Sequence, residues 1–520
     1  MIGVLSSQDI ISLHQQVVVR ALVRSLTTTQ VRPISTNAMD DHKLLLAYDI
    51  SPHQGEEVLK WLAKGDKKLI LFGTVPDNLI SYFGWQNLKW PTDFNISTTS
   101  KPAPIHEYSE SEAKIAYNDN AKSLGAGEWN RPFERFDFTN EWNNMGYGAI
   151  KFDDSIWSVK TPLNCKSDEI ASIRENSSFV SSYAALVNNG TTSVLWFNRS
   201  VGPVDSFEWK LIENFISEYR SDSLSCLPVL KDIPWGYDSV ITSRLDCDED
   251  VESARQLMNY YHSIDVPFSL AIHTSVLHDA VHQKILGEVK STGGSILSHT
   301  TTHAPNWGGS YEHAYNEGSI SRSMIKDCIG EYISYAVSPF HQSPSYALKA
   351  LSDIGYKGCV GGIICNDPEF LMARGGEVPG QADGFIGHSQ QTMLHGDCLL
   401  NTGDPISVYK AAYDIAFETD TAFGYLDHPF SKRYSYGWKS EEERSKVHGQ
   451  LVEYIRSKAK APLFLNEDEL LDFIHLKTRC RITKNGEEFY VDLPDEKVKF
   501  DLQIEYKGQT KKIGRGLNIL

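Results

Sequence analysis

Two patches of this chain carry side chains whose types and spacing could hold an ion and activate water. Ser243-Arg244-Leu245-Asp246-Cys247-Asp248-Glu249-Asp250 follows an apolar, β-prone run from Val240 to Leu245, which sets Asp246 and Asp248 where a strand would end. Ser298-His299-Thr300-Thr301-Thr302-His303 follows another strand-like run, Gly294 to Leu297, and spaces two imidazoles four residues apart. One carboxylate and two imidazoles make the open three-ligand site of a hydrolytic zinc centre, with water in the fourth position. A second carboxylate beside them could take a proton from that water. Cobalt, nickel or manganese would suit the same ligands. A single Asp at a strand end is more often a turn or a helix cap, and Asp250 before Val251 has the place of an N-cap. A lone His-x-x-x-His is weak as well. The conjunction of both patches, each just after a predicted strand, sets them apart.

Positioning those residues requires a scaffold of repeated strand and helix. From Tyr237 onward the pattern predicts strands at 240–245, 268–272, 295–298, 333–337, 358–364, 384–387, 424–426 and 463–465, with helical stretches between them. Repeated β-then-α units imply a closed or nearly closed barrel, whose sites gather at the C-terminal ends of the strands. Asp246, Asp248, His299, His303 and His428 all fall just after predicted strands.

Over this stretch the chain resembles the polysaccharide deacetylase (NodB-like) family, carbohydrate esterase family four. The resemblance covers roughly Tyr237 to His475, under half of the chain. It implies a distorted, seven-stranded (β/α) barrel over 236–477. It further implies an aspartate as general base, a second aspartate and two histidines as ligands of a divalent ion, zinc by default, and a late histidine as general acid. Carried over residue by residue, Asp246 is the base, Asp248, His299 and His303 are the metal ligands, and His428 is the acid. His428 lies within Gly424-Tyr425-Leu426-Asp427-His428-Pro429. The substrate implied is an N-acylated sugar or glycan that loses its acyl group, acetyl by default.

Two departures stand out. The family's adjacent aspartates are here spaced by Cys247, and the roles of Asp246 and Asp248 could be exchanged. The arginine expected before the Pro-aromatic pair of the third motif is absent, because Val337-Ser338 precedes Pro339-Phe340. That absence favours a second reading, a non-catalytic carbohydrate-binding or assembly protein on the same fold. His341, His388 and His395 could reach the pocket, and Trp307, Tyr434, Tyr436 and Trp438 could stack on a sugar ring.

The flanks differ. Residues 1–225 alternate strand and helix and predict a largely parallel α/β sheet. They loosely resemble the class I glutamine-amidotransferase-like fold, but the turn where that family carries its cysteine reads Gly73-Thr74-Val75-Pro76, so no catalysis is expected there. Residues 226–235 read as a linker. Residues 478–520 alternate apolar and polar with Asn485-Gly486 and Lys507-Gly508 turns, predicting a small antiparallel appendage.

The chain has 520 residues, 41% of them hydrophobic, enough for several packed cores. A formal net charge of -17 disfavours nucleic acid and anionic membrane surfaces as partners. Eight cysteines without C-x-x-C spacing predict buried thiols in a reducing compartment. No apolar run is long enough to cross a bilayer, so the expectation is a soluble cytoplasmic protein.

Overall fold

The computed structural model of the chain describes residues 1–6, 12–92, 94, 113–133, 135–136, 149–150, 152–361, 375–389, 392–430, 434–485, 488–495 and 499–519. Cys365, Gly486, nearly half of the 85–145 insertion and residues 362–364 of one predicted strand lie outside these.

The first unit is built on apolar strands. β1 (Ile2–Ser6), β3 (Leu44–Tyr48) and β4 (Lys67–Phe72) are buried almost throughout, as parallel strands covered on both faces must be. Helix α1 (Leu13–Ser25) starts where Ser12 accepts from the Gln15 amide, and α2 (Pro52–Leu62) starts in a Ser51–Gln54 capping box. Its other main strands are β2 (Val31–Ile34), β5 (Lys114–Tyr117), β6 (Asn130–Pro132), β7 (Glu169–Glu175), β8 (Ser178–Asn189) and β9 (Thr192–Phe197). They follow the spatial order β2-β1-β3-β4-β9-β8-β7-β5-β6. Helix α3 (Ser206–Ser217) closes the unit.

A largely parallel sheet is therefore only half right. β2 to β9 run parallel, but β8, β7, β5 and β6 pair antiparallel. The β7–β8 hairpin turns on Asn176-Ser177, both at positive φ (47° and 67°), the conformation a two-residue hairpin loop favours. Asn-Ser lacks the glycine that usually marks such a turn. β2 contains Pro33, tolerated because β2 lies at the sheet edge.

The linker contains β10 (Val229–Leu230), and Leu227, Val229, Leu230 and Ile233 are buried. It is thus a packed segment rather than a free connection. The second sheet holds β11 (Ser239–Cys247), β12 (Ser269–Ile272), β13 (Ser295–Ser298), β14 (Tyr335–Val337), β15 (Gly358–Gly361), β16 (Gly376–Glu377), β17 (Ile386–Ser389), β18 (Thr392–Met393), β19 (Phe423–Asp427) and β20 (Pro462–Leu465). Its order is β16-β17-β15-β14-β13-β12-β11-β19-β18, with β20 also on β11, and all pairs are parallel except β16–β17. Among the described residues no ladder joins β17 to β18, so the curved sheet is not closed by hydrogen bonds.

Alternation along the strands sorts side chains inward and outward. Leu245, Cys247, Leu270, Ile272 and Ile296 join the cluster that includes Leu257, Met258, Tyr261 and Val289 of the covering helices. Val240, Ala271, Leu297, Val337 and Val360 meet in a second cluster on the inner face. Helix α10 (Glu467–Arg479) adds Leu470, Leu471 and Ile474 to that inner cluster. Its first residues bind the starts of two strands, with Glu467 N donating to Ser269 Oγ and Asn466 Nδ2 to Gly293 O. The plug thus sits at the opposite end from the strand tips.

The C-terminal strands β21 (Arg481–Asn485), β22 (Glu488–Asp492), β23 (Leu502–Tyr506), β24 (Gln509–Ile513) and β25 (Gly516–Ile519) pair antiparallel, as expected. They form two small sheets, one of which recruits β10 from the linker. Five of the seven described cysteines are buried, and none of the seven is in a disulfide. Among the described residues no helix is long and apolar enough to cross a membrane.

Candidate metal centre

Asp246 and Asp248 stand two residues apart at the end of β11, so both project to the inner face, while Cys247 packs outward. His299 follows β13 two residues after inward-facing Leu297, and so reaches the same space. The structure brings Asp248, His299 and His303 together. His299 Nε2 lies 3.7 Å and His303 Nε2 3.5 Å from Asp248 Oδ1, and the two Nε2 atoms are 3.0 Å apart.

Local hydrogen bonds fix this arrangement. His299 Nδ1 lies 3.1 Å from Val337 O; a carbonyl only accepts, so Nδ1 carries the proton and Nε2 offers its lone pair inward. Burial, then the neighbouring His303, holds His299 well below the usual imidazole range, against the pull of Asp246. Burial likewise lowers His303. Between them, Thr301 N and Thr302 N each donate to Glu317 Oε2 at 2.8 Å, and Thr302 Oγ1 donates to Glu317 Oε1 at 2.7 Å. Glu317 lies on helix α6 (Tyr311–Ile329). Thr300, His303, Phe340, His341 and Tyr436 all have left-handed φ, between 48° and 70°. Such backbone strain gathers where a site is held in a set geometry.

Asp248 Oδ1 is buried without a hydrogen-bond partner. Burial, then Asp246 and Glu249, pushes its carboxyl up to about 7. An orphaned carboxylate oxygen facing two imidazole Nε2 atoms is a donor set that a divalent cation fits.

Asp246 is held differently. Arg244, two residues back on the same strand face, grips it as a fork, Nε to Oδ1 at 2.5 Å and Nη2 to Oδ2 at 3.2 Å. Arg244 Nη1 also meets Glu467 Oε1 at 3.4 Å, and all three side chains are almost fully buried. Burial opposes ionisation of Asp246, but Arg244, with His299 and His428, outweighs it and keeps the carboxyl below the usual range. The expectation that no arginine holds this aspartate is thus corrected. The guanidinium comes from the aspartate's own strand, where period-two alternation could have revealed it.

His428 lies after β19, its Nε2 3.6 Å from Asp248 Oδ2 and its ring stacked on Tyr436 at 4.6 Å. Its Nδ1 meets His395 Nε2 at 2.7 Å. Burial, then His395, pushes its pKa down to about 3, so it is neutral at rest rather than the imidazolium the resemblance implied. Asp427 anchors the turn, accepting from His428 N at 2.8 Å, Arg444 Nε at 2.8 Å and His448 Nε2 at 3.0 Å. Trp307 and Trp438 are buried, their Nε1 atoms bound to Gln342 O and Asp427, so neither can stack on a sugar. His388 lies within β17 and is fully buried, not on a loop. Tyr434 and Phe340 are the exposed rings nearby.

Directly above Asp248 a cavity of about 10 Å³, the scale of one water, is lined by Glu249, Asp250, Pro429, Tyr434 and Tyr436. Two larger hollows, of about 820 and 780 Å³, lie elsewhere and contain none of these groups. Chemistry rather than volume picks out the site.

Solved structures similar to this chain are polysaccharide deacetylases and their relatives. A putative polysaccharide deacetylase from Mycobacterium smegmatis aligns at 12% identity over 48% of this chain and 94% of its own, with a TM-score of 0.36. A family 4 acetyl xylan esterase from Clostridium thermocellum, in complex with a cobalt ion, aligns at 12% over 45% of this chain and 91% of its own, with a TM-score of 0.31. Peptidoglycan deacetylase PdaC from Bacillus subtilis aligns at 10% over 45% of this chain and 91% of its own, with a TM-score of 0.29. No protein-family model and no curated relative matches the chain.

Proposed function

We propose that the chain is a metal-dependent hydrolase that removes an N-acyl group, acetyl by default, from an amino sugar or glycan. The observation that carries this reading is the partnerless Asp248 Oδ1 facing the Nε2 atoms of His299 and His303. Zinc suits one carboxylate and two imidazoles. Bound there, a divalent ion would lower the pKa of a water and draw charge from an amide carbonyl.

The chain's own residues do the rest. Asp248, His299 and His303 would hold the ion. Asp246, kept ionised by Arg244, orients the attacking water and accepts its proton as the new C–O bond forms. The same pairing makes it a weaker base than a free carboxylate. His428, opposite Asp248, is neutral at rest and delivers a proton to the leaving nitrogen only after taking up the one that Asp246 received from the water. Tyr434 and Phe340 offer exposed rings to a sugar beside the site.

The low basicity that Arg244 imposes on Asp246, and not the missing third-motif arginine, is the observation that favours the second reading, a carbohydrate-binding protein without turnover. Acetate release from N-acetylated chito-oligosaccharides by zinc-loaded protein decides between them. Turnover abolished in Asp248→Ala supports hydrolysis; binding of the oligosaccharide without acetate release supports the second reading. Unchanged metal content in a His299→Ala, His303→Ala variant would sink the metal site itself.

A further inference from the structure

A second group of ligating side chains lies behind His428. His395 Nδ1 is 3.8 Å from Asp397 Oδ1, and Cys398 Sγ is 3.6 Å from the same oxygen. One ligand atom from each of the three residues falls within 4.8 Å of the others. A tetrahedral ion with N and O ligands at about 2.1 Å and sulfur at about 2.3 Å sets its ligands roughly 3.4–3.7 Å apart. We infer that His395, Asp397 and Cys398 form a second divalent-cation site, separate from Asp248, His299 and His303.

The loop is held in place for such a role. Gly396–Cys398 is a single 3₁₀ turn, closed by Cys398 N donating to His395 O at 3.2 Å and tied outward by Asp397 N to Tyr436 O at 3.2 Å. Gly396 abuts the backbone of Gly437 so closely that an added Cβ would lie 2.5 Å from Gly437 C and from Trp438 N. The two segments are thus locked together without intervening side chains. His395 is almost wholly buried, whereas the Asp397 side chain is 63% exposed, leaving a side open for a solvent ligand. Among the described residues no lysine or arginine pairs with Asp397. A thiolate beside an imidazole and a carboxylate selects a zinc-like ion over calcium or magnesium.

The site has a consequence for the first one. His395 uses Nε2 to meet His428 Nδ1, so only Nδ1 is free for an ion. With an ion on Nδ1, neutral His395 carries its proton on Nε2 and donates it to His428 Nδ1. Neutral His428 then carries its own proton on Nε2, the atom facing Asp248. The second ion would thereby set which nitrogen of His428 presents N–H to the reacting groups. The cation site shares no ligand with the first and does not rest on the deacylation reading.

Cobalt reconstitution of the metal-stripped full chain tests this. The expected result is a thiolate-to-cobalt charge-transfer band that persists in His299→Ala, His303→Ala, vanishes in Cys398→Ser and weakens in exposed-residue variant Asp397→Ala. Bound cobalt should fall from two ions per chain to one in either the first-site or the Cys398→Ser variant. If the first site fails instead, wild type binds one ion and keeps the band. A wild-type chain without the band, or a band that survives Cys398→Ser, overturns the second site.

Discussion

Arg244 and Asp246 share one face of one strand, and the guanidinium grips the carboxylate through two parallel hydrogen bonds inside a closed space. Removing one member of such a pair leaves the other charged and unsolvated. Arg244→Met should therefore cost about 3–5 kcal/mol of stability. Arg244→Met combined with Asp246→Asn should cost less than the single change. Urea denaturation of the three proteins checks this. A single-variant loss of only about 0–1 kcal/mol, as for an exposed pair, would contradict the account.

Glu317 touches no predicted ligand, yet its carboxylate gathers two amides and a hydroxyl of the loop joining His299 to His303. Glu317→Ala should keep the fold and weaken metal affinity about 10–100-fold, as loss of groups that orient ligands does. Competition against a chelator measures it, with circular dichroism to verify folding.

Metal affinity should depend on acidity through Asp248. Its carboxyl, pushed up to about 7 by burial and by Asp246 and Glu249, must be ionised to ligate. Lowering the pH through about 7 protonates it, so affinity should fall by about tenfold per unit below that point. His299 and His303 are held low and add little until more acidic conditions. Isothermal titration at several pH values should show this slope and a proton released on binding. A flat profile between pH about 5 and 7 would count against Asp248 as a ligand.

The first unit contains an unrelated titration. Glu208 is fully buried between Tyr117 and Tyr183, whose hydroxyls donate to it at 2.7 and 3.2 Å. Burial, then Asp205, pushes its carboxyl up to about 8. Because the folded pKa is raised, its contribution to stability is complete below the unfolded value of about 4.3 and is lost as pH rises through about 8. Glu208→Gln should flatten the decline in melting temperature over that window. An unchanged slope would show that another group causes it.

Legibility from the sequence followed the strength of the periodic signal. All eight strands of the second sheet that alternation and apolar runs predicted are present in its described part, because each except half-buried β20 is a buried run bounded by turn residues. Asp248, His299, His303 and His428 could be placed together because each follows such a strand. Arg244 was hidden by the expectation that the arginine holding Asp246 must come from the third motif, although its spacing from Asp246 already put both on one face. Glu317 and Asp427 could not be found this way. Their hydrogen bonds depend on which helix or turn lies above which loop, and one-dimensional spacing carries no such information. The β7–β8 hairpin escaped because Asn176-Ser177 supplies positive φ without glycine.

One hydrophobic cluster runs without a break from Leu22, Trp209 and Phe215 of the first unit to Tyr409, Tyr413, Phe423 and Leu451 beside the second sheet. A fragment beginning near residue 236 would lose most of that cluster and lay the part it keeps open to water. The carboxy-terminal half should thus be difficult to obtain alone, and damage in the amino-terminal half should propagate into ion binding through loss of cooperativity rather than through any direct contact.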